Sequence, residues 1–390
     1  MKTFYAFCFL LLSLNIYAST DSSLFFLSRS GTGYDFYFHE LNLFTQQDQQ
    51  LSKTKVASTI VLNGASTIDT KQDVMFFSGY GQLIGVDLNT GNTKYNWHIS
   101  DMSFMAYNCL DSSIYFLTRL ADKKFRLAKV DAQTGFFQLI TRTPVADHIL
   151  LDGSVALNPA REEYYFQDID GLVVVDINTG KVKTRHNIGG ILKCMELNPV
   201  DNKLYGLYFD HGNKINKLVS FNPFTGKLKT ISSSNIISNL DGLSLNALSA
   251  IDVKNQRYYF QSVQSFTRQI EEVNMVTGSH IRTLAIEDVN FMERRMACSY
   301  HATDPEDKED DDILTFAYPN PVDHVLNLSF TDLKSEAIVE IYDIRGNKFH
   351  GEEARSSMQL HTTNFEPGTY FIILRNAKGD LLSRKRIMVR

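Results

Sequence analysis

Six copies of one short motif at near-constant spacing, aromatic-rich runs ahead of each copy, and a change of pattern near residue 314 predict an all-β chain. The expected architecture is a six-bladed β-propeller followed by a small Ig-like β-sandwich. The expected boundaries are a leader at 1–18, the propeller at 19–300, an acidic linker at 301–313 and the sandwich at 314–390.

The chain of 390 residues opens with a single positive charge at Lys2 and an apolar run from Phe4 to Leu14 broken only by Ser13. Small residues follow at Ala18 and Ser19, so Met1 to Ala18 reads as a secretory signal peptide. The run is shorter than the roughly 20 residues that a bilayer-spanning helix needs. No later stretch is apolar enough to span, which predicts a mature chain without a transmembrane segment.

The repeat begins next. Val86-Asp87-Leu88-Asn89-Thr90-Gly91 recurs at Val130 to Gly135 and at Val175 to Gly180, with looser copies at Phe221 to Gly226 and Val273 to Gly278. An earlier copy, Leu41 to Gln46, keeps the Asn and the Thr and has lost the Gly. The Asp or Asn of each copy stands at 42, 87, 131, 176, 222 and 274, steps of 45, 44, 45, 46 and 52 residues. An Asp or Asn side chain can bond the backbone of a tight turn, and Gly accepts positive φ, so each copy ends one strand and starts the next. Aromatic runs such as Phe76-Phe77, Tyr115-Phe116 and Tyr164-Tyr165-Phe166 mark the strand upstream. Four short strands per unit of about 45 residues is the make-up of a propeller blade.

The first copy leaves little room for an innermost strand before it. The apolar stretch Val289 to Ser299 after the last copy is therefore expected to supply that strand and close the ring. Ser232 to Asn246 is the longest insertion between blades, a candidate lid or contact loop.

Once the leader is removed, Cys109, Cys194 and Cys298 remain at wide spacing with no Cys-x-x-Cys pair. Structural zinc and a disulfide framework are not expected, and the three read as small buried apolar side chains. Net charge is −5, and between His301 and Asp312 seven acids stand against Lys308 alone, so the rest of the chain is close to neutral. That excludes the basic footprint of a nucleic-acid binder. The acidic run lacks the spaced ligands and turn Gly of a calcium loop and reads as a solvated linker.

From Leu314 the period vanishes. Tyr318-Pro319-Asn320-Pro321 opens a run of short alternating segments, followed by Ile341-Tyr342-Asp343-Ile344-Arg345-Gly346, by Pro367-Gly368-Thr369-Tyr370, and by a basic, β-branched terminus containing Lys385. These features, in this order, resemble the type A C-terminal sorting domain of the type IX secretion system of the Bacteroidetes. The resemblance implies export across the outer membrane by that machinery, with cleavage before the domain and then release or attachment at the cell surface.

The Asp-x-x-Thr-Gly turns also resemble those of quinoprotein-type propellers. Trp97 is the single Trp, so tryptophan docking cannot repeat around the ring, and no quinone cofactor is expected. Asp87, Asp131 and Asp176 are expected to be structural. No His-Glu-x-x-His pair, Gly-x-Ser-x-Gly elbow or phosphate loop is present.

A binding site is expected on the face opposite those turns, from loops joining the second and third strands of each blade: Tyr80, Arg119, Asp170, Asp210, His211, Phe266 and Arg268. The first functional reading is a secreted module that binds a glycan or a protein. The alternative is a hydrolase or lyase built from loop carboxylates and His211. It requires at least two of Asp170, Asp210, His211 and Arg268 to meet in one pocket. A propeller acting only as a spacer predicts no ligand-sized pocket at all.

Overall fold

The structure, a computed structural model, describes residues 23–29, 34–61, 66–150, 155–210, 215–236, 248–264, 267–286, 288–296, 298, 314–330, 333, 337–343, 346–377, 379 and 381–390. The expected signal peptide, acidic linker and most of the 232–246 insertion lie outside them. The chain divides into two compact units, Met1–Ala302 and Thr303–Arg390. All regular elements among the described residues are strands.

Among the described residues the first unit forms six four-stranded antiparallel sheets. Blade 1 contains β1 (Ser23–Arg29), β2 (Phe36–Asn42) and β3 (Gln47–Gln50). Blade 2 is β4 (Ser66–Asp69), β5 (Val74–Gly79), β6 (Gln82–Asp87) and β7 (Thr93–Trp97). Blade 3 is β8 (Met102–Asn108), β9 (Ser113–Arg119), β10 (Phe125–Asp131) and β11 (Phe137–Leu139). Blade 4 is β12 (Val155–Asn158), β13 (Glu163–Asp168), β14 (Gly171–Asp176) and β15 (Val182–His186). Blade 5 is β16 (Ile191–Asn198), β17 (Lys203–Asp210), β18 (Ile215–Phe221) and β19 (Leu228–Thr230). Blade 6 is β20 (Ser249–Asp252), β21 (Arg257–Gln264), β22 (Thr267–Asn274) and β23 (His280–Leu284). The missing inner strand of blade 1 is β24 (Asn290–Arg294), which pairs antiparallel with β1 and so joins the two ends of the ring.

The repeated motif works as a turn clamp. In blade 2 the Asp87 carboxylate accepts from the backbone N–H of Asn89 and Thr90 and from the Thr90 hydroxyl, while Gly91 N–H donates to the Asp87 carbonyl. The same bonds recur at Asp131 and Asp176. The Gly has a second duty that the motif alone does not show. A Cβ on Gly135 would stand 2.6 Å from the Trp97 ring of blade 2, so the turn can nest against the preceding blade only without a side chain. In blade 1, Gln46 occupies this position with φ at 59°.

Buried clusters lie between blades rather than within them. Phe25, Phe38 and Phe291 of blade 1 pack with Phe77 and Val86 of blade 2, and Tyr115 and Leu127 of blade 3 with Tyr164 and Val173 of blade 4. Each sheet thus covers its neighbour, which is why a closed ring is stable where one such sheet is not.

The inner strands alternate in kind. Those of blades 2, 4 and 6 are regular and four residues long. Those of blades 1, 3 and 5 each carry a bulge with a residue in the left-handed region: Phe291, Phe104 and Cys194. Buried tyrosines of the following blades bond two of these bulges, Tyr164 donating to the Phe104 carbonyl and Tyr258 to that of Cys194. The ring is therefore three pairs of blades as well as six single ones.

One expectation fails. Cys109, at the end of β8, and Cys298, beyond β24, form a disulfide across 189 residues of sequence, with Cα atoms 5.8 Å apart. Among the described residues Cys194 is the one cysteine outside a disulfide, and it is buried. Wide spacing argued against a framework of many bridges, but folding the chain into a ring brings the last strand back beside its early blades, so one long-range pair forms.

Among the described residues the second unit forms a sandwich of seven strands. One sheet orders β25 (Leu314–Tyr318), β26 (Val325–Phe330) and β29 (Ser357–His361). The other orders β28 (Lys348–Glu353), β27 (Ala337–Asp343), β30 (Gly368–Asn376) and β31 (Leu381–Val389). Alternate residues of both, among them Leu326, Leu328, Val339, Ile341, Ile372 and Leu374, form its core. Asn320 of the opening motif clamps the terminal strand, accepting from Met388 N–H at 2.8 Å and donating to the Arg386 carbonyl at 3.3 Å. Gly346 takes a positive φ of 84° in the turn after β27. Tyr370 packs against Phe349 and Phe365 and donates to the Glu366 carbonyl; Gly368 begins β30, and Lys385 lies on β31.

Candidate functional site

Antiparallel order sends the first-to-second and third-to-fourth connections of every blade to one face of the propeller, and the second-to-third connections to the other. The first of these faces carries the turn clamps. It also carries the end of β24 and the segment after it, which among the described residues are fastened by Arg294 to Asp252 of blade 6 (2.9 Å), by Arg295 to Asp73 of blade 2 (3.3 Å) and by Cys298 to Cys109 of blade 3. Met296 of this segment lines the central channel.

That channel holds a cavity of about 130 Å³ walled by the inner strands of all six blades. Its polar lining follows the blade pairs. Glu293 and Glu196 occupy matching positions on β24 and β16, and each accepts from a serine at the matching position of the next blade, Ser66 at 2.6 Å and Ser249 at 2.7 Å. The third pair has Ala106 and Val155 at those positions. Glu with Ser and Ala with Val is the substitution pattern of a hydrogen-bonded pair. Burial pushes the Glu293 carboxyl up to about 7. Burial, and then the charge of Glu293, push Glu196 well above the usual range. At neutral pH the pair thus retains protons that exposed carboxyls would have lost.

The opposite face is built by the second-to-third connections. In four successive blades the loop between the second and third strands ends in an exposed apolar residue: Tyr34, Tyr80, Leu120 and Ile169, exposed by 76%, 83%, 42% and 64%. At the seam where blades 6, 1 and 2 meet lies a second cavity of about 200 Å³, lined by Arg29, Tyr34, Ser58, Thr59, Arg268 and Asn290 among others. Asp288 ties its two arginines together. Arg29 Nε donates to the Asp288 carboxylate at 2.6 Å and Arg268 Nη1 at 3.3 Å, while Arg268 also reaches Asn290 Oδ1 at 3.1 Å. Burial pushes Asp288 up and is outweighed by the hydrogen bond and charge of Arg29 and the charge of Arg268, which hold it below the usual carboxylate range.

Of the seven residues expected here, Arg268 enters this cavity and Tyr80 stands exposed on the neighbouring blade. Arg119 lies over the Phe125 ring of its own blade, 5.7 Å from its centroid, and Asp170 sits in an exposed tight turn whose N–H bonds Asp168. Neither cavity includes Asp170, so it does not meet Arg268 in either. The Asp210 side chain, His211 and Phe266 lie outside the described residues. Arg29, Asp288 and Asn290 were not anticipated. They come from the first strand and from the strand that closes the ring with the turn just before it, which meet only once it is closed.

Residues 317–390 match the family model described as "Secretion system C-terminal sorting domain". That tail marks the chain as one exported by the type IX secretion system, to the cell surface or beyond it. No curated protein matches the chain in sequence. Among solved structures, TolB from Acinetobacter baumannii is similar at a TM-score of 0.53 and 11% identity, over 70% of this chain and 66% of that one. This chain thus spans just under two thirds of that structure's length. A nidogen–laminin complex is similar at 0.50 and 10% identity, over 70% of this chain and 98% of that one. At such identities the likeness is one of fold, a propeller. No helix among the described residues is long and apolar enough to cross a membrane.

Proposed function

We propose that this is an exported binding protein whose propeller holds an extracellular glycan or protein ligand on the face built by its second-to-third strand loops. The carrying observation is the contrast between the two faces. One is crossed by the disulfide-tied exit segment. The other presents exposed tips at Tyr34, Tyr80, Leu120 and Ile169 beside a cavity that two arginines line. Exposed apolar side chains rimmed by polar groups mark interaction surfaces in exported proteins as elsewhere. The disulfide supports the exported setting independently of the tail, since such bonds persist in oxidising compartments.

The test is a glycan and peptide binding screen on the full chain, repeated with Tyr80→Ser and Ile169→Ser. Both side chains are exposed, so folding should be unaffected. At least a tenfold loss of affinity for whatever ligand the wild type selects is expected, with an unchanged melting temperature. Unchanged affinity in both variants would contradict the reading.

A further inference from the structure

The cavity at the seam of blades 6, 1 and 2 has a composition that specifies more than a generic binding surface. Two guanidinium groups share the single carboxylate of Asp288. The nearby Asp35 is engaged by Lys55 at 3.0 Å. Among the described residues the cavity therefore carries a surplus positive charge. Arg29 spends its Nε and Nη2 on Asp288, and Arg268 spends Nη1 on Asp288, Asn290 and the Val289 carbonyl. Among the described residues no acceptor takes Arg29 Nη1 or the Nε and Nη2 of Arg268. Asp288 fixes both guanidinium groups while leaving donors unspent, which is how an anion-binding fork is held ready.

We infer that this cavity is an anion subsite for an acidic saccharide, one sugar unit bearing a carboxylate or sulfate. The charged group is taken by the free guanidinium edges of Arg29 and Arg268, and the apolar face of the ring lies on Tyr34. Thr59 supplies a hydroxyl for the ring substituents, and the Ser58 hydroxyl, which donates to Asp35 at 3.4 Å, supplies an acceptor. Size favours this occupant, because about 200 Å³ admits one ring-sized group and not an extended segment. Position disfavours a peptide held by strand addition. The cavity draws on β1 and β22, which are interior strands of their sheets, and on β24, which faces the central channel, whereas the outer sheet edge of blade 1 is β3. An aromatic plate beside fixed charged donors is instead the arrangement that suits a charged sugar.

This inference rests on the binding-face reading above and deepens it. Its test is titration calorimetry of the full chain with four probes: a glucuronate-containing trisaccharide, a sulfated trisaccharide, neutral cellotriose and tetraglutamate. The expected result is binding of one or both acidic sugars at least tenfold tighter than cellotriose, weakening as salt rises. Arg268→Gln and Tyr34→Ala should each cost at least tenfold. Tyr34 is exposed, so that variant keeps the test valid should Arg268→Gln disturb Asp288.

Equal affinity for cellotriose, preference for tetraglutamate, or no binding of either acidic sugar would overturn the inference. Each of these leaves the wider reading to the Tyr80 and Ile169 variants, which do not touch this cavity.

Discussion

Gln46 shows what a single position in the repeat costs. Five turns place Gly in the left-handed region, and the sixth places Gln46 there, donating its N–H to the Asn42 carbonyl as the glycines do. A side chain in that region costs about 1–2 kcal/mol, part of which glycine returns through its freer unfolded chain. Gln46→Gly should stabilise the propeller by about 0.5–1 kcal/mol in urea denaturation; a loss would show that the Gln side chain holds the first turn in some other way. Glu293 makes a pH-dependent contribution. Its folded carboxyl titrates at about 7 against an ordinary 4.5, so the folded state binds a proton that the unfolded chain releases across that interval. Stability should be undiminished below about pH 4.5 and fall by about 3 kcal/mol as pH rises to about 7. Glu293→Gln should remove this decline and make the protein more stable than wild type at pH 8. An unaltered slope between pH 5 and pH 8 would contradict the buried position.

At the level of elements, β24 and the segment after it close the ring twice, by pairing with β1 and by the bond from Cys298 to Cys109. Linking residues 189 apart restricts the unfolded chain by about 5 kcal/mol in a chain-entropy account. Cys298→Ser should therefore lose up to that much in denaturant, and reductant should bring the wild type to the same midpoint. Equal stability of oxidised wild type and variant would mean that strand pairing alone closes the ring. The strand was legible in sequence, because a count of six turns with one inner strand missing demanded an apolar run after the last copy. The disulfide was not, since two cysteines so far apart carry no local signal. The alternation of blades was hidden for a related reason. It lies in the bulges at Phe104, Cys194 and Phe291, whereas the visible repeat lies in turns that all six blades share.

For the whole molecule, sequence pattern gave an orientation and little of the site. The turn clamps at Asp87, Asp131 and Asp176 mark one face as structural, which directs attention to the other, and there Arg268 does line a cavity. Its companions Arg29 and Asn290 lie more than 250 positions apart in the chain, and closure of the wheel is what makes them neighbours. The tail from 317 to 390 needed no such closure, since its motifs are contiguous. The account as a whole assigns binding to the second-to-third loop face of a ring sealed by its last strand. Hydrogen exchange of the full chain with and without a glucuronate-containing trisaccharide tests that most directly. Slower exchange is predicted around Arg29, Tyr34, Ser58 to Ile60 and Arg268, with the Asp-x-x-Thr-Gly turns unaffected. Protection confined to those turns or to the sandwich, with the seam unchanged, would contradict it.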